Sequence, residues 1–273
     1  MAKPTIANVA ELAGVSQATV SRALRGATNV TEETRIKVQR AADQLNFTLS
    51  KSASALASGK TMRVILLVSG KLNEWFNSGV LQGVYEELAP VGYDVTPAFI
   101  TDRSELDRFF SQLPKSRNAD AIIISSFQLM PAMRDQLQAI DLPTVGVNVP
   151  AESGYFDASI SIDNSSAMTM AVRLLRSLGH TNIAFCSDYI PADMVYNTSQ
   201  RTQAFADAAQ ANATDGITFS LLTADAHDAP LSKSDLASQL TAKLLSLPER
   251  PTAVCVETDQ VAIALVKELR KQQ

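Results

Sequence analysis

The segment from Thr5 to Leu45 carries three helix-start signals in quick succession, each followed by apolar residues at helical spacing. Thr5, Ser16 and Thr31 are each placed to cap a helix, and Gly14 stands between the first two helices as the turn residue. A glycine turn this tight sets two helices almost at a right angle. The segment therefore predicts a three-helix unit, with helices from Thr5 to Ala13, from Ser16 to Arg25 and from Thr31 onward.

The second of these helices presents a polar and basic outer face. Val20 and Leu24 share its buried side, which leaves the following residues pointing outward: Gln17, Ala18, Ser21, Arg22 and Arg25. This arrangement predicts a helix-turn-helix whose second helix enters a groove of DNA. The alternative is an ordinary helical hairpin with solvated arginines. The third helix is expected to bury, in part or whole, Ile36, Val38, Ala41, Ala42 and Leu45.

Charge is divided unevenly along the chain. Residues 1–63 contain nine Lys and Arg against four Asp and Glu, whereas the remaining residues contain 15 against 24. The net charge of −4 hides this division. Because affinity for nucleic acid depends on the local density of cations, the basic amino end is compatible with DNA binding.

The string VAELAGVSQATVSRAL resembles the headpiece of the LacI/GalR family of bacterial transcription regulators. The match continues at Val30, Thr31, Thr34, Arg35, Val38, Ala41 and Leu45. The resemblance implies a sequence-specific DNA-binding regulator, expected to be a repressor, that binds a near-palindromic operator in double-stranded DNA as a homodimer. The resemblance places Gln17, Ala18 and Arg22 at base edges. The residues it places nearer the phosphates are Ser16, Thr19, Ser21 and Asn29. It also includes Thr5 among the DNA-binding residues.

The stretch NFTLSKSASALASGK, residues 46–60, follows this head and is expected to be either a linker or a short helix. Helix-forming residues are confined to 50–57, which is too short a run to be stable alone in water. The resemblance implies a hinge at residues 49–61, and Leu56 matches the leucine that wedges into the minor groove. The alternative is that Leu56 packs against the body. Leu49 departs from the family pattern, which has proline there.

A second motif lies at the same junction. Ser58, Gly59, Lys60 and Thr61 spell the end of a phosphate-binding loop. Ser54 stands where such a loop needs its first glycine, and a strand follows the motif instead of preceding it. ATP chemistry is therefore not predicted.

From Met62 onward, short β-branched runs alternate with amphipathic segments, which predicts parallel sheets with helices on both faces. The expected strands are MRVILLVS, YDVTPAFI, ADAIIISSF, PTVGVNV, ASISID, NIAFCSD, ITFSLLTA and TAVCVET. The part of the chain from residue 62 onward is too long to fold around one hydrophobic core, so two α/β lobes are expected. They are expected at 62–163 and 164–273, after an all-α head at 1–48. The fold predicted is thus a helix-turn-helix head and hinge followed by a two-lobed core like that of periplasmic binding proteins.

Ligands of such folds bind at the carboxyl ends of the strands, in the cleft between the lobes. The resemblance implies a small-molecule effector there, of the sugar or nucleoside class, and the residues it assigns are Asn73, Trp75, Phe76, Asp163, Arg201 and Asp259. An aromatic face suits a sugar ring, and a guanidinium can hold two oxygens. Trp75 and Phe76 could instead pack at a helix start, Asp163 could cap a helix, and Arg201 and Asp259 could pair with each other.

Family members continue beyond the position that corresponds to Gln273. The resemblance therefore implies a second lobe that is incomplete at its carboxyl end, with uncovered sheet edges and helix faces.

Other features of the sequence limit the alternatives. Cys186 and Cys255 are expected to be buried and reduced, and His180 and His227 lack partners at ligand spacing, so neither a metal nor a cofactor is predicted. No export signal or long apolar run is apparent, which favours a cytoplasmic protein without a membrane partner. The competing hypothesis is a sugar-binding protein without a regulatory role. An enzyme is not predicted, because no catalytic constellation is apparent.

Overall fold

The computed structural model describes residues 4–48, 60–116, 118–149, 156–190, 196–226 and 231–272. The chain divides into two compact units, the first ending at Met62 and the second beginning at Arg63. The predictions made for Leu56, for Ser58 and Gly59, and for His227 lie outside the described residues.

The first unit contains three helices, α1 (Ile6–Ala13), α2 (Gln17–Leu24) and α3 (Glu32–Gln44). Gly14 ends α1 with a φ of 65°, a left-handed conformation that glycine adopts without strain. The helices enclose a core of Val9, Ala10, Val20, Ala23, Val38, Ala41 and Ala42. These contacts confirm the predicted helix-turn-helix architecture.

One core prediction in α3 is wrong, because the side chain of Ile36 is 44% exposed. Val38, Ala41 and Ala42 form the buried stripe of this helix. Ile36 lies two positions before Val38, which places it about 200° around the helix and therefore on the solvent side.

The second unit alternates strands and helices in the predicted order. Its strands are β1 (Arg63–Ser69), β2 (Asp94–Ile100), β3 (Ala121–Ser125), β4 (Thr144–Val147), β5 (Ala158–Ile160), β6 (Asn182–Ser187), β7 (Thr218–Thr223) and β8 (Ala253–Val256). Its helices are α4 (Trp75–Leu88), α5 (Arg103–Ser116), α6 (Pro131–Ala139), α7 (Asn164–Ser177), α8 (Ser199–Ala211), α9 (Lys233–Leu245) and α10 (Asp259–Arg270). Each of the eight strands predicted from sequence is present, slightly shortened at its ends.

The strands form two parallel sheets. The first has the order β2-β1-β3-β4-β5 and the second the order β7-β6-β8. Pro97 lies in β2, an edge strand, where the lack of an N–H donor is tolerated. Gly146 in β4 has no room for a side chain, because a Cβ there would lie 2.7 Å from Val149 and 2.8 Å from Phe156.

Helices cover the second sheet on both faces. Val172, Phe205 and Ala209 pack with Phe185 on one face, and Leu236 and other side chains of α9 and α10 pack on the opposite face. Cys186 is buried against the α9 face, as predicted. Cys255 is only half-buried, contrary to the prediction, because β8 is an edge strand. Burial raises the pKa of the Cys186 thiol to about 12 and also raises that of Cys255, so both thiols are poor nucleophiles.

Within the described ranges, no helix is long and apolar enough to cross a membrane.

Candidate DNA-binding head and effector site

The three helices of the head begin at hydroxyl side chains. Thr5 and Asn8 form a reciprocal capping box, in which the backbone N–H of Asn8 donates to Oγ1 of Thr5 at 3.4 Å and the backbone N–H of Thr5 donates to Oδ1 of Asn8 at 3.0 Å. Oγ of Ser16 accepts from the backbone N–H of Thr19 at 3.1 Å, and Thr31 caps α3 in the same manner. Each cap fixes the first turn of its helix, where unpaired N–H groups and the helix dipole favour an anion such as phosphate.

The outer face of α2 is open to solvent at the positions predicted to contact bases. Gln17, Ala18 and Arg22 are exposed, whereas Thr19 and Ser21 are half-buried. The first turn of α2 contains no acidic residue. This helix therefore presents no acidic side chain that would oppose the approach of a phosphate backbone. The Nε atom of Arg22 donates to the backbone oxygen of Ala18 at 3.3 Å, and contact of the three exposed side chains with bases stays a prediction.

Asn29 is exposed in the turn that joins α2 to α3. Arg35 fixes this turn, because its Nη2 atom donates to the backbone oxygen of Ala27 at 3.2 Å and its Nε atom lies 3.3 Å from a carboxylate oxygen of Glu32. Sequence reasoning included Arg35 only as part of the family match. Its contacts show that it positions the turn that carries Asn29.

Two aromatic residues lie after β1 at the carboxyl edge of the first sheet. Trp75 and Phe76 begin α4 and meet edge to face, with ring centroids 5.7 Å apart. Trp75 is 63% exposed, Phe76 is half-buried, and Asn73 is exposed just before them. Most of the Trp75 side chain is thus open to solvent, and its contact with a ligand stays a prediction.

Asn77, which sequence reasoning missed, supports these aromatics. It is buried, and its Nδ2 atom donates to the backbone oxygens of Ser69 at 2.8 Å and Lys71 at 3.1 Å. These bonds join the end of β1 to the first turn of α4. Asn77 therefore fixes the position from which Trp75 projects.

Asp163 caps α7. Its carboxylate accepts from the backbone N–H of Ser166 at 2.9 Å and from the hydroxyl of Ser166 at 2.6 Å. These hydrogen bonds lower the pKa of Asp163. Capping, one of the two roles considered from sequence, is thus visible in the structure, and ligand contact stays a prediction.

Three buried asparagines, Asn148, Asn197 and Asn164, form an amide relay between the two sheets. Nδ2 of Asn197 donates to Oδ1 of Asn148, and Nδ2 of Asn164 donates to Oδ1 of Asn197 at 2.9 Å. At the far end, Nδ2 of Asn148 lies 3.3 Å from the hydroxyl of Ser126, just after β3. The relay therefore runs from the end of the first sheet to the start of α7.

Arg201 extends the relay into the second sheet. Its Nε atom donates to Oδ1 of Asn164 at 3.1 Å, and its Nη1 atom donates to the backbone oxygen of Glu257, which follows β8. Asp259 is exposed at the start of α10, where it accepts from the backbone N–H of Gln260 at 2.8 Å. Arg201 is thus held by Asn164 and Glu257 in this structure, and the proposed contacts of Arg201 and Asp259 with a ligand stay predictions.

Glu257 is the buried acid of this region, with 7% of its surface exposed. Burial raises its pKa to about 6, against the effect of a hydrogen bond from the backbone of Asp188 and the charges of Lys233 and Arg201. Asp188 follows β6 and Lys233 begins α9. The carboxyl edge of the second sheet therefore combines acidic and basic side chains around Arg201.

The relay and Glu257 were not predicted from sequence. Asn148 and Asn197 are 49 residues apart, and Asn164 and Asn197 are 33 residues apart. The available signal was that Asn148 lies near the carboxyl end of a predicted strand and Asn164 precedes a predicted helix, both at the edge where ligands bind.

Comparison with known proteins gives two family matches. The model for bacterial regulatory proteins of the lacI family matches residues 5–50, and that for a periplasmic binding protein-like domain matches residues 172–273.

Individual relatives match almost the whole chain. The HTH-type transcriptional repressor PurR of Vibrio cholerae serotype O1 (strain M66-2) is 30% identical over 98% of this chain and 77% of its own length. Catabolite control protein A of Priestia megaterium is 26% identical over 96% of this chain and 76% of its own. The Lac repressor dimer bound to operator and the anti-inducer ONPF has a TM-score of 0.80 at 21% identity, covering 99% of this chain and 78% of that one, which shows the same fold.

Proposed function

The chain belongs to the LacI family of DNA-binding transcription regulators, and we propose that it is a repressor whose operator affinity is controlled by a small molecule bound between its two lobes. The observation that carries the proposal is the combination in one chain of a capped helix-turn-helix and two parallel sheets whose carboxyl edges hold Trp75 and Arg201, with the amide relay between them.

The geometry of the head supports specific DNA recognition. Gln17 and Arg22 can form hydrogen bonds with base edges in the major groove, and Ala18 can contact a thymine methyl group. The hydroxyl caps at Thr5 and Ser16, together with Thr19, Ser21 and Asn29, are suited to phosphates. A homodimer would place two such heads on the half-sites of a near-palindrome, with Leu56 as the minor-groove wedge.

The carboxyl edges of the two sheets support an effector of the sugar or nucleoside class. Trp75 offers an apolar face to a ring, and Arg201 and Asp259 offer donors and acceptors for hydroxyl groups. The amide relay links these edges, since Asn148 follows β4 and Asn164 begins α7. A ligand that changes the relay would change the arrangement of the lobes and thereby the population of the DNA-binding state.

The proposal includes the division of the chain into a head at 1–48, a hinge at 49–61 and two lobes at 62–163 and 164–273. It also includes a cytoplasmic location, because a regulator of transcription must meet DNA.

Selection from random duplex DNA tests the proposal. The purified full-length chain is incubated with a random duplex library at fixed, near-physiological salt, since DNA affinity falls steeply with salt. Enrichment of one near-palindromic sequence is the expected result. Binding without enrichment of any sequence would contradict the proposed function.

A further inference from the structure

The first unit contains a groove that the predicted DNA contacts do not use. The groove has a volume of about 250 Å³ and is lined by Leu12, Ala13, Lys37, Arg40, Ala41 and Gln44. All six residues belong to α1 or α3, whereas the side chains predicted to read bases lie on α2. The groove is therefore separate from the predicted base-reading helix.

The floor of this groove is apolar. Ala41 is buried and Ala13 packs against the core of the head, but the side chain of Leu12 is 51% exposed. An apolar cavity of about 150 Å³ is large enough for benzene, so the groove has room for a side chain the size of leucine or phenylalanine. Such a side chain would cover Leu12 and remove its apolar surface from water.

The rim of the groove is basic. Lys37, Arg40 and Gln44 are exposed and lie three and four residues apart, so they line one side of α3 over about 10 Å. Lys37 pairs with Glu33 at 2.8 Å, but the two side chains are 59% and 79% exposed, and such an ion pair stabilises little. Within the described ranges, no acidic side chain forms an ion pair with Arg40. The rim therefore has two cations for the carboxylates of a partner.

An apolar floor beside a basic rim favours one kind of occupant. DNA would use the cations but not Leu12, because its backbone is charged. The same groove of a second copy would bring like charges together at Lys37 and Arg40, which disfavours self-pairing. An acidic amphipathic helix uses both parts of the groove, because one apolar side chain fills the floor and carboxylates one turn away reach the rim.

We propose that the groove between α1 and α3 is a docking site for a partner protein that presents an acidic helix with one leucine- or phenylalanine-sized anchor. The anchor packs on Leu12, and the acids of the helix pair with Lys37 and Arg40. Because α2 contributes no residue to the groove, the partner binds while the head stays on DNA. The inference depends neither on the effector nor on repression.

A displayed library of alanine-based helices of about 20 residues, with one face randomised, is the probe. It is selected on the immobilised full-length chain at fixed, near-physiological salt. An excess of mixed-sequence duplex is present, so that DNA occupies the phosphate sites of the head and keeps acidic peptides away from them. The enriched peptides should carry one Leu or Phe with Asp or Glu three or four residues away.

Variants of the head then locate the peptide. Fluorescence anisotropy of a labelled enriched peptide should show binding at least about tenfold weaker to Leu12→Ala. Ile36→Ala is the matched control and should bind like the wild type, because Ile36 is an apolar side chain of the head that is 44% exposed and lies outside the groove. Arg40→Gln should weaken binding by about threefold, whereas Arg40→Lys keeps the charge and should retain most of the affinity.

Duplex binding by the same variants separates the groove from the DNA contacts. Wild-type duplex affinity in Leu12→Ala would show that the head remains folded. Arg40→Gln should leave the dependence of duplex affinity on salt unchanged, because loss of a phosphate contact would reduce the slope by about 1. A reduced slope would assign Arg40 to the phosphate backbone and overturn the proposal.

Three further results would also overturn it. One is the enrichment of no peptide, or of peptides that bind Leu12→Ala as tightly as the wild type. Another is the enrichment of acidic peptides without an apolar anchor, which would indicate general attraction to a basic surface. The third is self-association of the chain that Leu12→Ala abolishes, which would assign the groove to a second copy. None of these outcomes depends on which DNA sequence the head prefers.

Discussion

The Nε atom of Arg201 donates a hydrogen bond to Oδ1 of Asn164 at 3.1 Å, which ties the start of α8 to the start of α7. Asn164 in turn donates to Asn197 at 2.9 Å, and Asn197 reaches Asn148 in the first lobe. Arg201, which the family resemblance assigns to the effector site, is therefore connected through buried amides to the opposite lobe. This connection gives a bound ligand a physical route to the arrangement of the lobes.

Asn164→Ala should lower the free energy of unfolding by about 1–3 kcal/mol, because it removes the partner of the buried amide oxygen of Asn197 and of the partly buried Nε atom of Arg201. Urea denaturation of the full-length chain measures the change. Ser165→Ala is the matched control, since Ser165 is the exposed next residue of the same helix. Equal stability of the two variants would show that the relay does not stabilise the fold.

Substitutions at Ser16 should separate helix capping from DNA binding. Ser16→Ala should destabilise the head by about 1 kcal/mol through loss of the bond to the N–H of Thr19. Ser16→Asp keeps a cap but adds negative charge where a phosphate is expected, so protection of α2 amides from hydrogen exchange should persist while operator affinity falls. Wild-type operator affinity in Ser16→Asp would place the phosphate elsewhere.

Glu257 should make stability depend on pH. Its folded pKa of about 6 is above the ordinary value, so the folded state binds the proton more tightly than the unfolded state does. The stabilising effect of protonation is complete below the ordinary glutamate pKa and is lost as the pH rises through about 6.

At about pH 8, Glu257→Gln should therefore be more stable than the wild type by about 2 kcal/mol. The difference in stability should shrink as the pH falls below the folded-state pKa of Glu257. Urea denaturation of both chains at a series of pH values gives the comparison. A stability difference that is the same at every pH would exclude a raised pKa at Glu257.

Trp75 should report ligand binding by its fluorescence. It is the single tryptophan of the chain, and its side chain is 63% exposed. Acrylamide should quench it efficiently in the free protein, and a ring stacked on it should shift its emission to shorter wavelengths and reduce the quenching. A compound that alters operator affinity yet leaves both signals unchanged would remove Trp75 from the proposed effector site.

Local sequence signals predicted most of the architecture. Capping hydroxyls and Gly14 marked the helix ends of the head, and β-branched runs marked the strands, because these features act within a few residues of one another. The errors arose where tertiary position decides burial. Ile36 faces solvent on a helix with a narrow apolar stripe, and Cys255 is half-exposed on an edge strand.

The site was predicted less completely. Asn73, Trp75, Asp163 and Arg201 were selected through family resemblance, and the structure shows what holds several of them in position. The amide relay and Glu257 could not be selected in this way, because the fold brings together residues that lie far apart in the sequence, such as Asn148 with Asn197 and Arg201 with Glu257. Asn77 bonds only to residues six and eight positions before it, and it too was missed. A buried amide or carboxyl has no distinctive pattern in a single sequence.

Base readout by α2 is the central claim, and the affinity of Arg22→Ala for two duplexes tests it most directly. Fluorescence anisotropy at one salt concentration compares the selected operator with a scrambled duplex of equal length, with the exposed Lys37→Ala as a charge-matched control. Arg22→Ala should weaken the binding free energy for the operator by about 1–3 kcal/mol. On the scrambled duplex, Arg22→Ala should weaken binding by little more than Lys37→Ala does. Equal losses of Arg22→Ala on both duplexes would contradict sequence readout by this helix.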